Sequence, residues 1–418
     1  MKHNTSEQSY NLAVEQYAAA GVDVEKALDI LSAVCISMHC WQGDDVVGFE
    51  SDTFVADGGI MTTGDYPGRA RNPEELRDDL TKALSLIPGK HKVNLHAIYA
   101  EHGKEIVGRD ELGPDQFKTW ADWAENAGIG LDFNPTFFSH PNVKDGFTIA
   151  SADESIRKYW VNHGIASRKI GEYFGKRLGI PCITNFWAPD GYKDIPADRS
   201  APRERMAQSL DEIFTEEISP NLNRDAVESK LFGIGSESYV VGCFEFYLGY
   251  ALTRKKLICL DTGHFHPTEA VSDKISALLL YFDEILLHVS RGIRWDSDHI
   301  IVLNDDLKDT ARETVRGGLS KIRIALDYFD ASVNRVAAWV MGMRNMQKAV
   351  LYALLEPFDT IKELEQAGDL TARLAAFEDA KTMPFGAVWN RFCEKSSVPV
   401  DGKWLPEIKA YESSLNRG

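Results

Sequence analysis

The chain has 418 residues, 44% hydrophobic and 26% charged, which is typical of a globular protein and not of a disordered or fibrous one. Its 46 basic and 63 acidic residues give a net charge of −17, and such a surface repels nucleic-acid phosphates and anionic lipid. A polar N-terminal segment, the lack of long apolar runs and six scattered cysteines without a CxxC pair predict a cytoplasmic protein with free thiols, bound to neither nucleic acid nor membrane.

Short strand-like runs recur along the chain, and most are followed by a polar residue, a loop and a helix-like stretch. The strand-like runs are 34–38, 92–95, 129–133, 181–186, 226–229, 256–260, 285–289 and 322–326. The helix-like stretches between them are 73–86, 115–126, 153–178, 203–217, 242–254, 268–281 and 307–319. Strands that alternate with helices predict βαβ units, and eight such units favour a closed (β/α)8 TIM barrel over an open sheet.

Two regions exceed a minimal barrel. We assign residues 1–330 to the barrel with an N-terminal helix, and residues 331–418 to a C-terminal helical extension. The extension is interpreted as an oligomer contact, with a cover over the barrel's own helices as the alternative. The segment 42–71, rich in glycine and aspartate, is long for a loop, which indicates a functional lid or a contact arm.

Polar side chains stand at the ends of the predicted strands. In chain order they are His39, His96, Asp132 with Asn134, Asn185, Glu228 with Lys230, Asp261, His288 and Asp327. The C-terminal ends of barrel strands meet at one mouth, where catalysis takes place. The last four strands supply Glu228, Asp261, His288 and Asp327. Three carboxylates and one imidazole suit Mn²⁺, Mg²⁺, Co²⁺ or Zn²⁺, and a cation offsets their repulsion.

A second group of ligand-type residues follows the sixth and seventh strands. His264 lies three residues after Asp261, and Asp296 and Asp298 are two residues apart, on one side of an extended chain. With Asp261 bridging, these residues predict a second metal site, and paired metals that share a carboxylate polarise adjacent oxygens. The alternative for Asp296 and Asp298 is a solvated turn.

Further residues near the mouth are candidates for substrate contact. Lys230 follows Glu228 by two and faces the same way on a strand, so it stabilises a developing oxyanion, moves a proton or forms a salt bridge. His96 contacts sugar hydroxyls or is a satisfied histidine of the barrel wall. Phe133 and Trp187 form an apolar pocket wall or ordinary core.

Seven long segments carry a family resemblance. They are 37–50 (SMHCWQGDDVVGFE), 94–101 (NLHAIYAE), 131–141 (LDFNPTFFSHP), 225–239 (DAVESKLFGIGSESY), 260–269 (LDTGHFHPTE), 286–299 (LLHVSRGIRWDSDH) and 326–340 (LDYFDASVNRVAAWV). In these segments, and over essentially its whole length, the chain closely resembles the bacterial L-rhamnose isomerases. The resemblance implies a (β/α)8 barrel, a homotetramer, L-rhamnose and L-rhamnulose as substrates, and Mn²⁺ or a related divalent cation, one or two per chain.

The resemblance also assigns roles to individual residues. It implies a structural, substrate-positioning metal site and a catalytic one that share Asp261. The structural site comprises Glu228, Asp261, His288 and Asp327, and the catalytic site comprises Asp261, His264, Asp296 and Asp298. Together with Lys230 and Asp327, the residues His264, Asp296 and Asp298 are the expected catalytic set.

The expected reaction is an aldose–ketose isomerisation by metal-assisted hydride shift or by proton transfer through an enediol. No GxGxxG fingerprint between a strand and a helix indicates a dinucleotide cofactor. Two alternatives remain at the level of the sequence: a metal-dependent hydrolase on the same barrel, and a sugar-binding protein whose metal is only structural.

Overall fold

The computed structural model of the chain describes residues 2–42, 47–50, 64–231, 237–293 and 298–417. Eight parallel strands lie at its centre. They are β1 (Cys35–His39), β2 (Lys90–His96), β3 (Gly130–Asn134), β4 (Cys182–Phe186), β6 (Asn223–Glu228), β8 (Leu257–Asp261), β9 (Ile285–Val289) and β10 (Ile322–Leu326). Each strand pairs with its neighbours in chain order and β10 pairs with β1, so the sheet closes into a barrel. The predicted (β/α)8 fold is confirmed, and all eight predicted runs overlap barrel strands.

A short antiparallel ribbon, β5 (Gly191–Tyr192) with β7 (Tyr239–Val240), lies outside the barrel.

Helices surround the barrel and continue beyond its last strand. They are α1 (Lys2–Ala19), α2 (Val24–Ala33), α3 (Pro73–Leu84), α4 (Lys118–Ala127), α5 (Glu154–Leu178), α6 (Ser200–Ile213), α7 (Phe244–Arg254), α8 (Val271–Leu278), α9 (Asp305–Gly317), α10 (Arg335–Leu354), α11 (Phe358–Gln366), α12 (Leu370–Ala380), α13 (Phe385–Lys395) and α14 (Trp404–Ser414). The predicted start of α3 is observed, because Asn72 accepts a hydrogen bond from the Glu75 N–H and Pro73 opens the helix. Within the described ranges no helix is long and apolar enough to cross a bilayer.

The helical C-terminal part agrees with the prediction, with local differences. Gly368, with a φ of +77°, separates α11 from α12, and Asp369 then caps α12. Two helices precede β1 where one was expected, and α14 was not predicted. Helix α10 follows β10 and packs against α9 and β1, which is the position of the eighth barrel helix. The boundary at 330/331 stays a prediction.

A small apolar cluster lies in the barrel interior below the mouth. Its members are Ile183, Ala226, Leu257, Cys259, Leu286 and Ala325. Because side chains alternate along a strand, each residue two positions further along also points inward, one layer higher. Above Ala226, Cys259 and Leu286 these residues are Glu228, Asp261 and His288, so these polar side chains of the mouth lie directly above an apolar layer.

Candidate metal centre and substrate pocket

Four ligand-type side chains meet at the mouth of the barrel. Glu228, Asp261 and His288 lie in β6, β8 and β9, and Asp327 directly follows β10. One ligand atom from each lies within 4.8 Å of the others. The structure therefore brings together the four residues that the sequence placed at the last four strand ends.

These four residues fit a divalent cation. Asp261 Oδ2, His288 Nδ1 and Asp327 Oδ1 are buried, and no hydrogen bond satisfies them within the described part of the chain. His288 Nδ1 lies 3.0 Å from Glu228 Oε2 and 3.3 Å from Asp327 Oδ2, so these atoms face one another around a common point. Buried polar atoms without partners are costly, and a shared cation removes that cost.

A second group contains Asp261, His264 and Asp298, whose ligand atoms also lie within 4.8 Å of one another. His264 Nδ1 lies 3.0 Å from the Ser229 carbonyl oxygen, to which its N–H donates. That hydrogen bond leaves Nε2 facing Asp261 Oδ2 at 3.8 Å and Asp298 Oδ2 at 3.7 Å, which is the orientation of a histidine that ligates a metal. Asp296, the other predicted member, lies outside the described residues.

The two groups share Asp261, whose two oxygens have different surroundings. Oδ1 accepts hydrogen bonds from the Gly263 N–H at 2.7 Å and from Ser290 Oγ at 3.2 Å, and Oδ2 is left to the ligand groups. Ser290 Oγ also lies 3.1 Å from Asp298 Oδ1. Ser290 and the Gly263 backbone thus hold the carboxylates of Asp261 and Asp298 in place from the outer side.

The charges of the two groups are strongly coupled. Burial opposes the charged form of both histidines, but the neighbouring carboxylates outweigh it and raise the pKa of His264 and of His288 well above the usual value. Burial also opposes the Glu228 carboxylate, yet the two histidines hold its pKa well below the usual value. Burial and the other carboxylates raise the pKa of Asp261 and of Asp327. Bound protons therefore offset the negative charge when no cation does, and a cation competes with them.

A small cavity lies beside the two groups. Its remaining lining residues are His96, Asn134, Phe138, Asn185, Trp187, Lys230 and Phe329. The Lys230 ammonium lies 4.8 Å from the centre of the Trp187 ring, and that ring contacts Phe138 at a centroid distance of 5.4 Å. Three predicted substrate residues, His96, Trp187 and Lys230, are thus brought to one cavity.

Phe133, the fourth predicted substrate residue, does not line the cavity, so its predicted contact with substrate is wrong. It is fully buried and packs edge-on against Phe117 at 5.0 Å and against Phe174 at 6.0 Å, in the layer between barrel and helices. Its neighbours Asp132 and Asn134 occupy the interior face of β3, so alternation turns Phe133 outward. The structure does not place Phe133 in the cavity.

The aromatic residue that faces the cavity near Asp327 is Phe329, which was not predicted. Its backbone N–H donates to the Asp298 carbonyl oxygen at 2.7 Å, which connects the end of β10 to the second ligand group. Asn185, named only as a strand-end residue, donates to Glu228 Oε2 at 2.5 Å. The sequence contains a pattern that indicates Phe329, because this residue follows Asp327 by two and so faces the same side of an extended chain.

Arg109 supports the pocket wall without lining it. Its guanidinium is fully buried and donates to the carbonyl oxygens of Thr136 at 2.8 Å and Phe138 at 2.7 Å, and to the carboxylate of Glu50. Thr136 Oγ1 in turn lies 3.0 Å from His96 Nδ1. No pattern around Arg109 revealed this, since all its partners are distant in sequence.

Comparison with known proteins places this geometry in a family. A family model described as L-rhamnose isomerase (RhaA) matches residues 4–417. The chain is 57% identical over 410 residues to an L-rhamnose isomerase of Rhodopirellula baltica, covering 98% of this chain and 96% of that one. It is 56% identical over 407 residues to an L-rhamnose isomerase of Listeria monocytogenes, covering 97% of each. Among solved structures, an L-ribulose 3-epimerase matches 76% of this chain and 95% of its own, with 12% identity and a TM-score of 0.47.

Proposed function

The chain belongs to the L-rhamnose isomerase family, and from that membership we propose that its two ligand groups jointly serve the interconversion of L-rhamnose and L-rhamnulose. The reaction moves one hydrogen from C2 to C1 and one from O2 to O1, so it needs no redox cofactor. The observation that carries the proposal is that both groups contain Asp261, since two divalent ions on a shared carboxylate polarise adjacent oxygens of one substrate.

The protein is a metal-dependent isomerase with candidate ligand groups, and we propose Mn²⁺ as the ion, one or two per chain. Carboxylate oxygens outnumber imidazole nitrogens among the described ligands, which suits Mn²⁺ and Mg²⁺. The histidine in each group keeps Co²⁺ and Zn²⁺ as alternatives.

Lys230 and Asp298 are the proposed proton-handling residues among those described. Burial opposes the charged form of the Asp298 carboxyl, but His264 and, to a smaller extent, the Lys230 ammonium lower its pKa, and Lys230 borders the cavity. An ammonium at this place donates a hydrogen bond to an oxyanion that develops on the sugar, and a carboxylate beside it accepts the hydroxyl proton. For Asp296 we propose the role that the sequence indicates, that of a ligand in the catalytic metal site.

His96 positions the sugar as a neutral ring. Burial lowers the pKa of His96 to about 3, so the imidazole carries no charge at neutral pH. Its Nδ1 contacts Thr136 Oγ1, while Nε2 faces Asn134 Nδ2 at 3.4 Å, on the side of the cavity. A neutral imidazole and an amide recognise hydroxyl groups, and Trp187 with Phe138 supplies an apolar wall for the C–H face of a sugar.

A direct test measures ketose formation. Purified protein is incubated with L-rhamnose and Mn²⁺, before and after treatment with EDTA. We expect ketose with Mn²⁺, its loss with EDTA and its return when Mn²⁺ is added back. Folded, metal-loaded protein that forms no ketose under any of these conditions would refute the proposal.

Two variants and a control locate the reaction. Glu228→Gln and Asp298→Asn each remove a charge from one ligand group, and both are expected to abolish turnover with the fold intact. Cys182→Ser changes a buried side chain of β4 outside the ligand groups and is expected to retain activity. Deuterium placed at C2 and retained in the ketose favours the hydride shift, and its exchange with solvent favours the enediol.

The remaining expectations concern the whole assembly. We propose a cytoplasmic homotetramer in which residues 331–418 contribute to the subunit contacts. The six free thiols fit a reducing compartment. A hydrolase on the same barrel is not favoured, because the chain matches the isomerase family over nearly all its length.

A further inference from the structure

The apolar layer beneath the first ligand group contains a sulfur atom. Cys259 precedes Asp261 by two residues on β8, so both side chains point into the barrel, with the thiol one layer deeper. Cys259 is fully buried, and its Sγ lies 3.4 Å from Glu228 Oε2, to which the thiol donates. The other members of this interior cluster carry only hydrocarbon side chains.

Cys259 has the geometry of a ligand as well as that of a donor. Its Sγ and one atom each of Glu228 and His288 all lie within 4.8 Å of one another. With zinc–sulfur bonds of about 2.3 Å and zinc–oxygen bonds of about 2.1 Å, tetrahedral geometry separates sulfur from oxygen by roughly 3.6 Å. The observed separation of 3.4 Å between Sγ and Oε2 agrees with that value.

A second observation points to a ligand at the same place. His288 is almost completely buried, and its Nδ1 makes no hydrogen bond of acceptable geometry within the described residues, although Glu228 Oε2 lies 3.0 Å away. An imidazole nitrogen and a carboxylate oxygen at that distance without a hydrogen bond are arranged like two ligands of one ion. Cys259 borders the same carboxylate oxygen from below.

We propose that Cys259, Glu228 and His288 form a deeper binding position that takes thiophilic divalent ions such as Cd²⁺ and Zn²⁺. Thiolate ligands select such soft ions, whereas Mn²⁺ and Mg²⁺ prefer the oxygen ligands above. When the ion binds, the S–H bond of Cys259 breaks, the sulfur electron pair forms the bond to the metal, and the proton passes to the buffer. No oxidation or reduction takes place.

An ion in this deeper position prevents a second ion from binding to the four residues of the first ligand group, because the two positions share ligands. Glu228 and His288 belong to both groups, but Asp261 and Asp327 do not belong to the group that contains sulfur. A soft ion in the deeper position therefore withdraws two of the four ligands from the Mn²⁺ site proposed above, on which this inference rests. We expect Cd²⁺ to inhibit by occupying a different place, and not merely by replacing Mn²⁺ among the same ligands.

The experiment titrates metal-free protein with Cd²⁺ and records the ultraviolet charge-transfer absorption of a thiolate bound to cadmium. The wild-type protein is expected to develop this band until one Cd²⁺ is bound per chain. Cys259→Ser is expected to lose the band and to bind Cd²⁺ about 100-fold more weakly, since one ligand of a closed site is lost. Cys182→Ser, which changes another fully buried barrel cysteine outside the ligand groups, is expected to keep the band.

Further measurements keep the test decisive. Circular dichroism and calorimetric Mn²⁺ binding report whether Cys259→Ser is folded, and Cys259→Ala repeats the measurement with a smaller side chain. X-ray absorption at the cadmium edge of the wild-type protein detects bound sulfur directly, so the outcome does not depend on a variant that folds.

The proposal is overturned if wild-type protein binds Cd²⁺ without the band and without a sulfur neighbour, or if the band persists in Cys259→Ser. Either failure is distinguishable from failure of the proposed function, because ketose formation from L-rhamnose with Mn²⁺ is measured separately and without cadmium.

Discussion

Gly263 packs so closely against Asp298 that a β-carbon at position 263 would overlap the carboxylate oxygen Oδ1 of Asp298. The same β-carbon would lie 2.5 Å from Ser290 Oγ, which contacts both Asp261 and Asp298. The absence of a side chain at this position therefore sets the distance between the loop after β8 and a ligand of the second group.

We predict that Gly263→Ala displaces Asp298 and impairs the second ligand group more than the fold. Turnover is expected to fall at least about 10-fold, and Mn²⁺ binding to weaken by a comparable factor, as for residues that orient metal ligands. Steady-state kinetics and calorimetric titration measure both effects. Gly249→Ala is the control, because a β-carbon there meets nothing within 4 Å. Equal activity of the two variants would contradict the assigned contact.

Removal of metal is predicted to destabilise the protein. Asp261, His288 and Asp327 each have a buried atom with no hydrogen bond in the described ranges, and a cation that binds only the folded state stabilises it. At an Mn²⁺ concentration 1,000 times the Kd, the gain is about 4 kcal/mol in the free energy of unfolding. Thermal unfolding with EDTA and with Mn²⁺ measures it, with KCl at equal ionic strength as the control. Identical melting temperatures would argue against a metal among these residues.

The affinity for Mn²⁺ is predicted to rise with pH across the neutral range. Without a cation, the neighbouring carboxylates outweigh burial and raise the pKa of His264 and His288 well above 6.5. Both rings are therefore favoured in the charged form, in which each ring nitrogen carries a proton. An ion must displace these protons, and affinity gains up to about tenfold per pH unit for each proton displaced. Calorimetry in buffers of different ionisation enthalpy counts the released protons. An affinity that does not change with pH would show that neither ring is a ligand.

Lys230 is predicted to act on turnover and not on metal binding. Lys230→Met removes the ammonium beside the cavity and keeps most of the apolar length, and we expect kcat to fall about 10²- to 10³-fold, as when one oxyanion donor is lost. Lys230→Arg keeps the charge and is expected to retain more activity than the methionine variant. A change confined to KM, or a loss of Mn²⁺ binding of the same size, would contradict the assigned role.

His163 is predicted to make the fold sensitive to acid. Its Nδ1 lies 2.9 Å from the Arg109 carbonyl oxygen and its Nε2 accepts from the Thr136 N–H at 2.9 Å, so the ring is held neutral. Burial lowers the pKa of His163 from 6.5 to about 3. The stability it contributes is therefore complete above pH 6.5 and is lost as pH falls toward 3, by about 2 kcal/mol near pH 5.

The measurement is the dependence of the free energy of unfolding on pH. His163→Gln offers a neutral side chain with a donor and an acceptor. Below pH 6.5 the free energy of unfolding of this variant is expected to depend less steeply on pH, by a slope that corresponds to at most one bound proton. Parallel curves for the two proteins would exclude a contribution from His163.

The barrel was predictable because each strand leaves a local pattern, a short apolar run followed by a polar residue. The same pattern identified Glu228, Asp261 and His288, since alternation along a strand places them inward. The same alternation along β3 turns Phe133 away from the side of Asp132 and Asn134 and into the core between barrel and helices.

Other features could not be predicted because they depend on partners that are far apart in sequence. Tyr411 of α14 and Arg417, which follows that helix, donate hydrogen bonds to the Asp79 carboxylate of α3 at 2.7 Å and 2.6 Å. Arg109 begins a short 3-10 helix (Arg109–Glu111), and its role exists only once Glu50 and the loop after β3 surround it. No local pattern reveals such contacts.

The order of the strands has a consequence for how the protein matures. Glu228 and Asp327 are separated by nearly 100 residues, and Asp327 reaches the mouth only when β10 docks between β9 and β1. A nascent chain that has been synthesised only as far as β9 lacks Asp327. Its first ligand group is therefore incomplete, and its sheet is still open. Binding of an ion by all four ligands of the first group therefore requires that β10 has closed the barrel, whereas Asp261, His264 and Asp298 of the second group all precede β10.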